Sequence, residues 1–316
     1  MFRVSIFGVG AIGGVIAASL SNEKETAIHL HVRGAWGSHL MLNGIRIEGE
    51  TSISVPPERF DFTFQEQPYP HAMESASDVA IICSKATDIE ALLPLVQRTL
   101  KSEGIVCILS NGLGLVEISR RFLPTETLVY SSITHGAFRD GNRITWAGKG
   151  GIQIEHPRQV HYATILEHLI DLFQSTGLNP ILKDNGPAIV WDKALLNIAI
   201  NPIAALTGKK NGELLQPDLF QNCMHLFKEA STIASYEGVD VMDEFQFESR
   251  LQEVLTLTSE NQCSMLQDIQ FGRETEIDFL NGKVVDLAEK HGLFVPRNTL
   301  ITDLIRSIHP TKSVLK

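Results

Sequence analysis

The sequence predicts an α/β protein, with an N-terminal doubly wound sheet of parallel strands and an all-helical C-terminal domain. Short, wholly apolar segments alternate with helix-like segments through the first half of the chain, as they do in sheets covered on both faces. A glycine-rich turn joins the first strand-like segment to the first helical one. From about Asn185 onwards the apolar residues recur at helical spacing, without a convincing strand.

The elements of the first domain follow one another in a regular order. FRVSIFGVG predicts a buried first strand, and AIGGVIAASLSN predicts a helix of small residues behind it. Later strands are predicted at AIHLHVRG, SDVAIICSK, GIVCILSNG and LVYSSITHG, with RITWAGKGGIQIEHP as a hairpin pair at the sheet edge. The change of pattern places a domain boundary in NPILKDNGP, between a first domain of residues 1–183 and a second of residues 184–316.

One predicted helix of the second domain carries an unusual set of polar residues. In WDKALLNIAINP, Lys193, Asn197 and Asn201 are spaced by four among apolar residues. Each step of four drifts only about 40° around a helix, so these side chains form one narrow stripe. Buried without partners they would each cost about 1–3 kcal/mol, so the stripe faces either open water or a pocket that something polar fills. Pro202 lacks an N–H and is expected to free a carbonyl and kink the helix.

A further helix is predicted through TEIDFLNGKVVDLAEKHG, ending at Gly292 after basic residues. On this helix Glu276 shares a face with apolar residues such as Leu280 and Val284, so its carboxylate is expected to point inward, where it needs a partner. A structural Lys–Glu pair is one interpretation of this carboxylate. The other is an anchor for a small polar substrate beside Lys193.

Composition narrows the classes of function. The 316 residues carry a formal charge of −10, which argues against nucleic-acid and anionic-membrane partners. The cysteines show no CxxC spacing and are expected to be reduced thiols of a cytoplasmic protein, and the histidines form no metal-ligand pattern, so no metal site is predicted. No apolar run approaches the roughly 20 residues that span a bilayer, and the immediate first strand leaves no room for a signal peptide.

The glycine-rich turn GVGAIGG places Gly8, Gly10 and Gly13 in the GxGxxG spacing. The pattern is weak alone, but here it follows a strand and opens a helix, which is the context of a Rossmann-type dinucleotide site. Gly8 is expected to form the tight turn, Gly10 to admit a pyrophosphate, and Gly13 to let helix and strand pack closely. The alternative is a purely structural glycine turn.

The end of the second strand indicates which dinucleotide is bound. NAD-binding chains usually carry Asp or Glu there to accept the ribose hydroxyls, whereas this sequence has Arg33 and no acid between Thr26 and Arg46. A guanidinium can hold a 2′-phosphate through two hydrogen bonds, and a carboxylate would repel it. NADP(H) is therefore the predicted cofactor. The alternative is a solvated Arg33, with selectivity set elsewhere.

Two polar residues follow later strands, where open α/β sheets bind ligands. Lys85 follows AIICS, and Asn111 follows VCILS. By default the first is a surface lysine and the second part of a turn with Gly112. Their shared place at the carboxyl edge favours a cofactor and substrate crevice. If the helical domain closes over that edge, the stripe that begins at Lys193 is expected to face the nicotinamide.

Further motifs are spread in order along nearly the whole chain: GVGAIGG, CSKATD, SNGLG, THGAFRDG, WDKALLNIAINPIAALTG, NGEL and SMLQDIQFGRETEIDFLNG. Together they resemble one family, the ketopantoate reductases (2-dehydropantoate 2-reductases). The resemblance implies NADPH-dependent reduction of 2-dehydropantoate to (R)-pantoate, in the pantothenate pathway. Hydride would pass to the C2 carbonyl while a lysine donates a proton to the developing alkoxide.

The resemblance also assigns roles at the matching positions. It implies that Lys193 is the general acid and that Glu276 is a catalytic carboxylate close to cofactor and substrate. The implied substrate ligands are Asn111, Asn197, Asn201, Asn211 and Ser264. It implies cofactor contacts at Lys85, Asn111, Ala137 and Glu276, in addition to those expected at the glycine turn (Gly8, Val9, Gly10, Ala11, Ile12 and Gly13) and at Arg33.

The motifs do not determine which 2-oxo acid is the substrate or what the oligomeric state is. Family members include enzymes that reduce other 2-oxo acids, sometimes with NADH, and no motif here reads out the gem-dimethyl group of ketopantoate. The first alternative is a related NAD(P)-dependent 2-hydroxyacid dehydrogenase. The second is a non-catalytic dinucleotide sensor, which would have no reason to keep Lys193, Ser264 and Glu276 together. The partner is thus expected to be a small 2-oxo acid, and a homodimer is compatible with the sequence.

Overall fold

The computed structural model describes residues 1–156 and 160–308. The chain divides into two compact units: unit 1 comprises residues 1–110 and 115–189, and unit 2 comprises residues 111–114 and 190–316. Residues 309–316, at the end of the predicted second domain, lie outside the described residues. The short segment 111–114 follows a strand of unit 1 but packs with the helical part of the chain.

The elements are numbered in chain order through the described residues. The strands are β1 (Phe2–Phe7), β2 (Thr26–Val32), β3 (Ile45–Gly49), β4 (Ile53–Val55), β5 (Phe60–Phe64), β6 (Ser77–Ile82), β7 (Leu100–Ile108), β8 (Leu128–Val129), β9 (Ser131–Ile133), β10 (Gly136–Asp140), β11 (Arg143–Gly148), β12 (Ile152–Glu155) and β13 (Pro180–Lys183). The α-helices are α1 (Ala11–Leu20), α2 (Gly34–Asn43), α3 (Ala86–Thr99), α4 (Leu115–Ser119), α5 (Val160–Ser175), α6 (Gly186–Thr207), α7 (Pro217–Tyr236), α8 (Glu244–Leu257), α9 (Ser264–Gln270), α10 (Asn281–His291) and α11 (Pro296–Ile308).

Six strands of unit 1 form one parallel sheet in the order β5-β2-β1-β6-β7-β8. Counted along the chain, this is the 3-2-1-4-5-6 order of Rossmann-type folds. The order reverses between β1 and β6, and such a reversal opens a ligand crevice at the carboxyl ends of the strands. The predicted fold class, a doubly wound sheet followed by a helical domain, is confirmed.

The central strands are apolar because the sheet is covered by helices. Val4 and Ile6 of β1 lie in register with Val79 and Ile81 of β6, and all four side chains are fully buried. Helices α1, α3 and α5 pack against this sheet. Strands buried on both faces lose the apolar–polar alternation, and the sequence shows this loss in its continuous apolar runs.

Two histidines of β2 form a buried polar cluster within this sheet. His29 Nδ1 lies 2.9 Å from Ser5 Oγ, and Thr63 Oγ1 lies 3.1 Å from His29 Nε2 and 2.7 Å from His31 Nδ1. The His31 ring also stacks on Phe7, with the ring centroids 4.0 Å apart. Burial lowers the pKa of His29 to about 4 and that of His31 to about 2, so both rings are neutral at pH 7.

Two smaller sheets complete unit 1, and they correct two predictions. RITWAGKGGIQIEHP forms β11 and β12, but β11 pairs with β10 and β3, whereas β12 lies between β9 and β13, so the predicted hairpin is wrong. The glycines between them carry the chain to a different sheet: a Cβ at Gly150 would lie 2.4 Å from the carbonyl oxygen of Thr134. LVYSSITHG, predicted as one strand, is divided at Tyr130 into β8 of the large sheet and β9 of the three-stranded sheet.

In its described part, unit 2 is built from helices, and one of them differs from the prediction. The segment from Glu276 is not one helix: a 3-10 turn over Ile277–Phe279 is separated from α10 by Leu280, whose φ of −115° and ψ of −101° are not helical. The break has a physical cause, since the carbonyl of Phe279 accepts from the N–H of Leu113 at 2.7 Å and not from the next helical turn. Glu276 is nevertheless 9% exposed, so its inward orientation is confirmed. Gly292 ends α10 in the left-handed conformation, as predicted.

Helix α6 continues through Pro202 to Thr207. The proline cannot donate to the carbonyl of Ile198, and the side chain of Asn281 donates to that oxygen at 3.1 Å. The loss of the helical donor is as predicted, but the carbonyl is not free, because Asn281 supplies another donor. Contrary to expectation, α6 is long and apolar enough to cross a membrane by length and composition, but 67% of its most apolar window is buried in the protein, as in a core helix.

Candidate active site

The glycine turn of unit 1 forms because three backbone segments approach one another too closely for side chains. Gly8 has a φ of +88°, and a Cβ there would lie 2.4 Å from the backbone nitrogen of Ser84, just after β6. A Cβ at Gly13 would lie 2.3 Å from the carbonyl oxygen of Gly8. The turn therefore lies at the point where the strand order reverses, and it requires glycine at both positions.

Gly10 differs from the other two glycines because a Cβ there would meet nothing within 4 Å. Gly10 is also the N-cap of α1, whose N-terminus has no side-chain cap and no acidic residue in its first turn among the described residues. The first N–H groups of a helix bind anions well, particularly where no side chain occupies them. The open backbone at Gly10 and the uncapped helix fit the pyrophosphate of a dinucleotide. Val9 beside them is buried, and Ala11 and Ile12 are half-buried.

A tryptophan that the sequence analysis did not single out holds this turn in place. Trp36 of α2 donates from Nε1 to the carbonyl oxygen of Val9 at 2.6 Å. The guanidinium of Arg139 in β10 lies 4.6 Å from the centre of the Trp36 ring. Ala137, on the same strand as Arg139, is half-buried, and β10 packs against α1. The implied cofactor position at Ala137 thus belongs to a strand that is tied to the glycine turn.

Arg33 lies between two carboxylates that come from later segments of unit 1. It is the N-cap residue of α2, and its Nη2 lies 2.8 Å from Oδ2 of Asp88 in the first turn of α3. The backbone N–H of Gly34 donates to Oε1 of Glu66, after β5, at 3.0 Å. The Arg33 side chain is 62% exposed, so it is open to a ligand while it pairs with Asp88. Lys85, the N-cap residue of the same α3, is half-buried.

In unit 2, the polar stripe of α6 faces neither open water nor a sealed core. Lys193 and Asn197 are half-buried, and Asn201 is 6% exposed. The residues between them, such as Leu195 and Ile198, are fully buried. Burial of the stripe therefore increases from Lys193 to Asn201.

The segment from Glu276 to Phe279 is joined to the segment 111–114 by several contacts within unit 2. The amide Nδ2 of Asn111 donates to Oε2 of Glu276 at 3.2 Å. Gly112, with a φ of +117°, lets the segment approach closely, because a Cβ there would lie 2.7 Å from the Cβ of Phe279. The N–H of Leu113 then bonds to the Phe279 carbonyl. Two of the predicted site residues, Asn111 and Glu276, are thereby brought into direct contact.

The N-terminus of α9 lies against α6 at the far end of the stripe. Cys263, the N-cap residue of α9, donates its thiol to the backbone carbonyl of Asn201 at 3.5 Å and accepts from the N–H of Leu266 at 3.4 Å. Burial raises the pKa of this thiol to about 11, so it is a neutral donor. The next residue, Ser264, is exposed. Ser264 therefore directly follows a residue that contacts Asn201.

Asn211 has a different set of partners. Its Nδ2 donates to Oγ1 of Thr258 at 2.9 Å, and its backbone N–H donates to the carbonyl of Asn261 at 3.0 Å. Its Oδ1 is buried with no hydrogen-bond partner among the described residues. The side chain thus orders the segment between α8 and α9, and its oxygen is left as an acceptor.

Three further residues, Asp88, Trp36 and Glu66, contact these groups from distant parts of the chain and were not predicted as site residues. Asp88 lies inside the motif CSKATD, three positions after Lys85, so its place at the carboxyl edge was a usable signal. Trp36 and Glu66 carried no such signal, because nothing local predicts their contacts with the glycine turn and with Gly34.

The chain is similar, over most of its length, to proteins of one family. The family model described as Ketopantoate reductase PanE/ApbA matches residues 4–159, and its companion, Ketopantoate reductase PanE/ApbA C terminal, matches residues 187–309. The curated 2-dehydropantoate 2-reductase of Archaeoglobus fulgidus is 28% identical over 97% of this chain and 97% of its own length.

Solved structures share the fold at lower identity. The ternary structure of D-mandelate dehydrogenase with NADH and anilino(oxo)acetate superposes with a TM-score of 0.88, at 21% identity and 98% coverage of both chains. A PanE/ApbA family ketopantoate reductase from Ralstonia eutropha JMP134 gives a TM-score of 0.85, at 23% identity and 98% coverage of both chains.

Proposed function

This chain belongs to the ketopantoate reductase family, and from that premise we propose that it reduces 2-dehydropantoate to (R)-pantoate with NADPH, in cytoplasmic pantothenate biosynthesis. It is an oxidoreductase that acts on a CH–OH group, as its curated relatives are. The substrate, the cofactor and the residue roles are the parts that we add to this assignment.

The observation that carries the proposal is the contact between Asn111 and Glu276. The chain passes from the end of β7 to Asn111 in three residues, and the Asn111 amide then bonds to Glu276 in the helical unit. In parallel α/β folds the ends of such strands are where ligands bind. The contact brings the buried Glu276 carboxylate to a strand end of this kind, and this position supports a role in ligand binding.

Each polar residue of unit 2 has a distinct task in this reaction. A reduced nicotinamide supplies the hydride that C2 of the 2-oxo acid receives. Lys193 donates a proton to the oxygen on C2, and as a cation it stabilises the negative charge that develops there first. Asn197, Asn201 and Ser264 orient the polar ends of the substrate by hydrogen bonds. Glu276 holds Asn111 and anchors the substrate side of the site.

The cofactor is bound by unit 1. The uncapped N-terminus of α1 holds the pyrophosphate, and Gly10 leaves room for it. Arg33 offers N–H donors beyond the one that Asp88 accepts, and these bind a 2′-phosphate. NADPH is the cofactor that uses such donors, because NADH has only hydroxyls at this position.

A second candidate is a 2-hydroxyacid dehydrogenase that uses NADH on another 2-oxo acid. Two observations favour it: Asp88 and Glu66 bring carboxylates to the end of β2, and a structural neighbour is a D-mandelate dehydrogenase with bound NADH. Carboxylates accept hydrogen bonds from ribose hydroxyls and repel phosphate. We rank this candidate second because Arg33 occupies the position at which NAD enzymes carry the acid itself.

The deciding experiment measures cofactor oxidation by the purified full-length chain. Ketopantoate and a panel of 2-oxo acids of different side-chain size are each assayed with NADPH and with NADH. The proposal expects the highest kcat/KM for ketopantoate with NADPH. A preference for an aromatic or unbranched 2-oxo acid with NADH would establish the second candidate. Light scattering on the same preparation measures whether the chain forms the homodimer that is compatible with its sequence.

A further inference from the structure

Helix α6 lacks one hydrogen bond of its ladder, between Ile198 and Pro202, and each of these residues directly follows an asparagine of the stripe. In an α-helix the carbonyl of Ile198 accepts from the N–H of residue 202, and Pro202 has none. Pro202 is buried, so solvent does not replace the missing donor. A buried carbonyl left without a donor is destabilising, so the fold must supply one.

The replacement donor is the side chain of Asn281, the first residue of α10. Its Nδ2 donates to the Ile198 carbonyl at 3.1 Å and to Oδ1 of Asn298 at 3.0 Å. Asn281 and Asn298 are both fully buried. Both N–H groups of the amide face acceptors, so the reverse orientation would place an oxygen against two oxygens. The contacts themselves therefore fix the orientation of the amide.

This pair of amides is fixed in turn by a carboxylate. Nδ2 of Asn298 donates to Oε2 of Glu229 at 2.9 Å and to the carbonyl of Leu226 at 3.2 Å. Glu229 also accepts from the backbone N–H groups of Arg297 and Asn298, at 3.1 and 2.9 Å, and so caps the start of α11. The chain of bonds joins α6, α10, α11 and α7 within unit 2.

We propose that Asn281 is a positioning residue for the substrate site: its amide replaces the hydrogen bond that Pro202 removes and fixes the turn of α6 that carries Asn197 and Asn201. The inference rests on the proposed function, because it takes those two asparagines as substrate ligands. With an ordinary backbone hydrogen bond, the position of this turn would be fixed by α6 alone. Here the turn is set by the position of α10, so the asparagines are held relative to the helix that follows Glu276.

A double-mutant cycle tests the proposal on the full-length protein. The proteins are the wild type, Asn281→Leu, Pro202→Ala and the double variant, and the KM values for ketopantoate and NADPH are measured for each. Asn281→Leu removes the donor, and we expect it to raise the KM for ketopantoate about tenfold while the KM for NADPH stays within about twofold. Pro202→Ala restores a backbone donor to Ile198, so in that background the same change should raise the KM for ketopantoate less than about threefold.

The KM is the discriminating readout, because a loss of folded protein alone lowers kcat per total protein and leaves the KM unchanged. Asn222→Leu is the matched control. Asn222 is an exposed asparagine of α7 whose amide, among the described residues, donates to its own helix at the Asp218 carbonyl, so the KM values of this variant should match the wild type. If Asn281→Leu does not fold, Asn281→Ser removes the same bond with a smaller side chain and takes its place.

Equal rises in the ketopantoate KM in the two backgrounds would overturn the proposal, as would an unchanged KM in a folded Asn281 variant. The melting temperatures of the four proteins provide a second readout that does not depend on the substrate. Pro202→Ala is expected to recover part of the drop caused by Asn281→Leu. If the wild type reduces no 2-oxo acid, the proposed function fails, and additive melting-temperature changes would then refute the replacement of the bond as well.

Discussion

Arg33 provides the sharpest prediction about cofactor choice, because the structure shows both what it offers and what competes for it. Its guanidinium is 62% exposed and gives one N–H to Asp88 at 2.8 Å. Hydrogen bonds to a charged group contribute about 1.5–3 kcal/mol each. Because Arg33 is exposed and also pairs with Asp88, we expect its contribution to phosphate binding to lie at the low end of this range, at about 1.5 kcal/mol. This corresponds to about tenfold in affinity.

Arg33→Ala should therefore weaken NADPH binding about tenfold and leave NADH binding within about twofold. Asp88→Asn should act in the opposite direction, because it removes a carboxylate that repels the 2′-phosphate. An exposed charge pair contributes about 0.2–1 kcal/mol, so the gain for NADPH should be about 1.5- to 5-fold.

Calorimetric titration of each variant with each cofactor, without substrate, measures these affinities directly. Arg121→Ala is the matched control, since Arg121 pairs with Glu90 on the same unit and touches neither the glycine turn nor α2 in the described contacts. Equal losses of NADPH and NADH affinity in Arg33→Ala would refute the role of Arg33 in reading the phosphate. A fall in NADPH affinity in Asp88→Asn would show that Asp88 holds Arg33 in its binding position and does not compete with the ligand.

Three further predictions test other parts of the structure. Glu276→Gln keeps the shape of the side chain and loses its charge, so turnover should fall while the melting temperature stays close to that of the wild type; a large drop in melting temperature with full activity per folded molecule would make Glu276 structural. Gly13→Ala should abolish cofactor binding in a titration, because its Cβ would lie 2.3 Å from the Gly8 carbonyl. The pKa values of His29 and His31, held by burial at about 4 and about 2, lie below the unfolded value of 6.5, so the unfolded state takes up protons first as pH falls. This contribution to the free energy of unfolding should be present above pH 6.5 and be lost progressively towards pH 4 for His29 and pH 2 for His31, by about 4 kcal/mol at pH 5 for the two rings together. Urea unfolding from pH 7 to 5 measures it, and a flat profile would contradict the buried neutral rings.

The parts of the fold that the sequence predicts correctly are those set by local pattern. The segment from β1 to α1 is an example: a buried strand, a turn that only glycine can form and a helix of small residues are each readable within 20 positions. The inward orientation of Glu276 and the end of α10 at Gly292 are of the same kind, since both follow from burial and backbone preferences within one segment.

The parts that it does not predict depend on contacts between distant segments. The helix break at Leu280 arises because the Phe279 carbonyl is taken by Leu113, and the neighbouring contact between Asn111 and Glu276 spans 165 positions. The pairing of β11 with β3 is equally non-local. The alternating pattern of RITWAGKGGIQIEHP is the same for a hairpin as for two strands that join different sheets, so it does not distinguish them. The carboxylate of Asp88 beside Arg33 is likewise supplied by a distant segment, because α3 brings it to the end of β2 across 55 positions.

The most direct test of the proposed mechanism concerns Lys193. Wild type, Lys193→Ala and the control Lys209→Ala are compared on matched preparations, by melting temperature, NADPH affinity and ketopantoate turnover. Lys209 is a lysine of the same unit that pairs with Glu213 on the surface, so its removal should leave turnover unchanged. Loss of a general acid should lower the turnover of Lys193→Ala about 10²- to 10⁴-fold, while NADPH affinity and folding are kept, because the cofactor groups of unit 1 are untouched. Near-normal turnover in a folded Lys193→Ala protein would contradict the assignment of Lys193 as the proton donor.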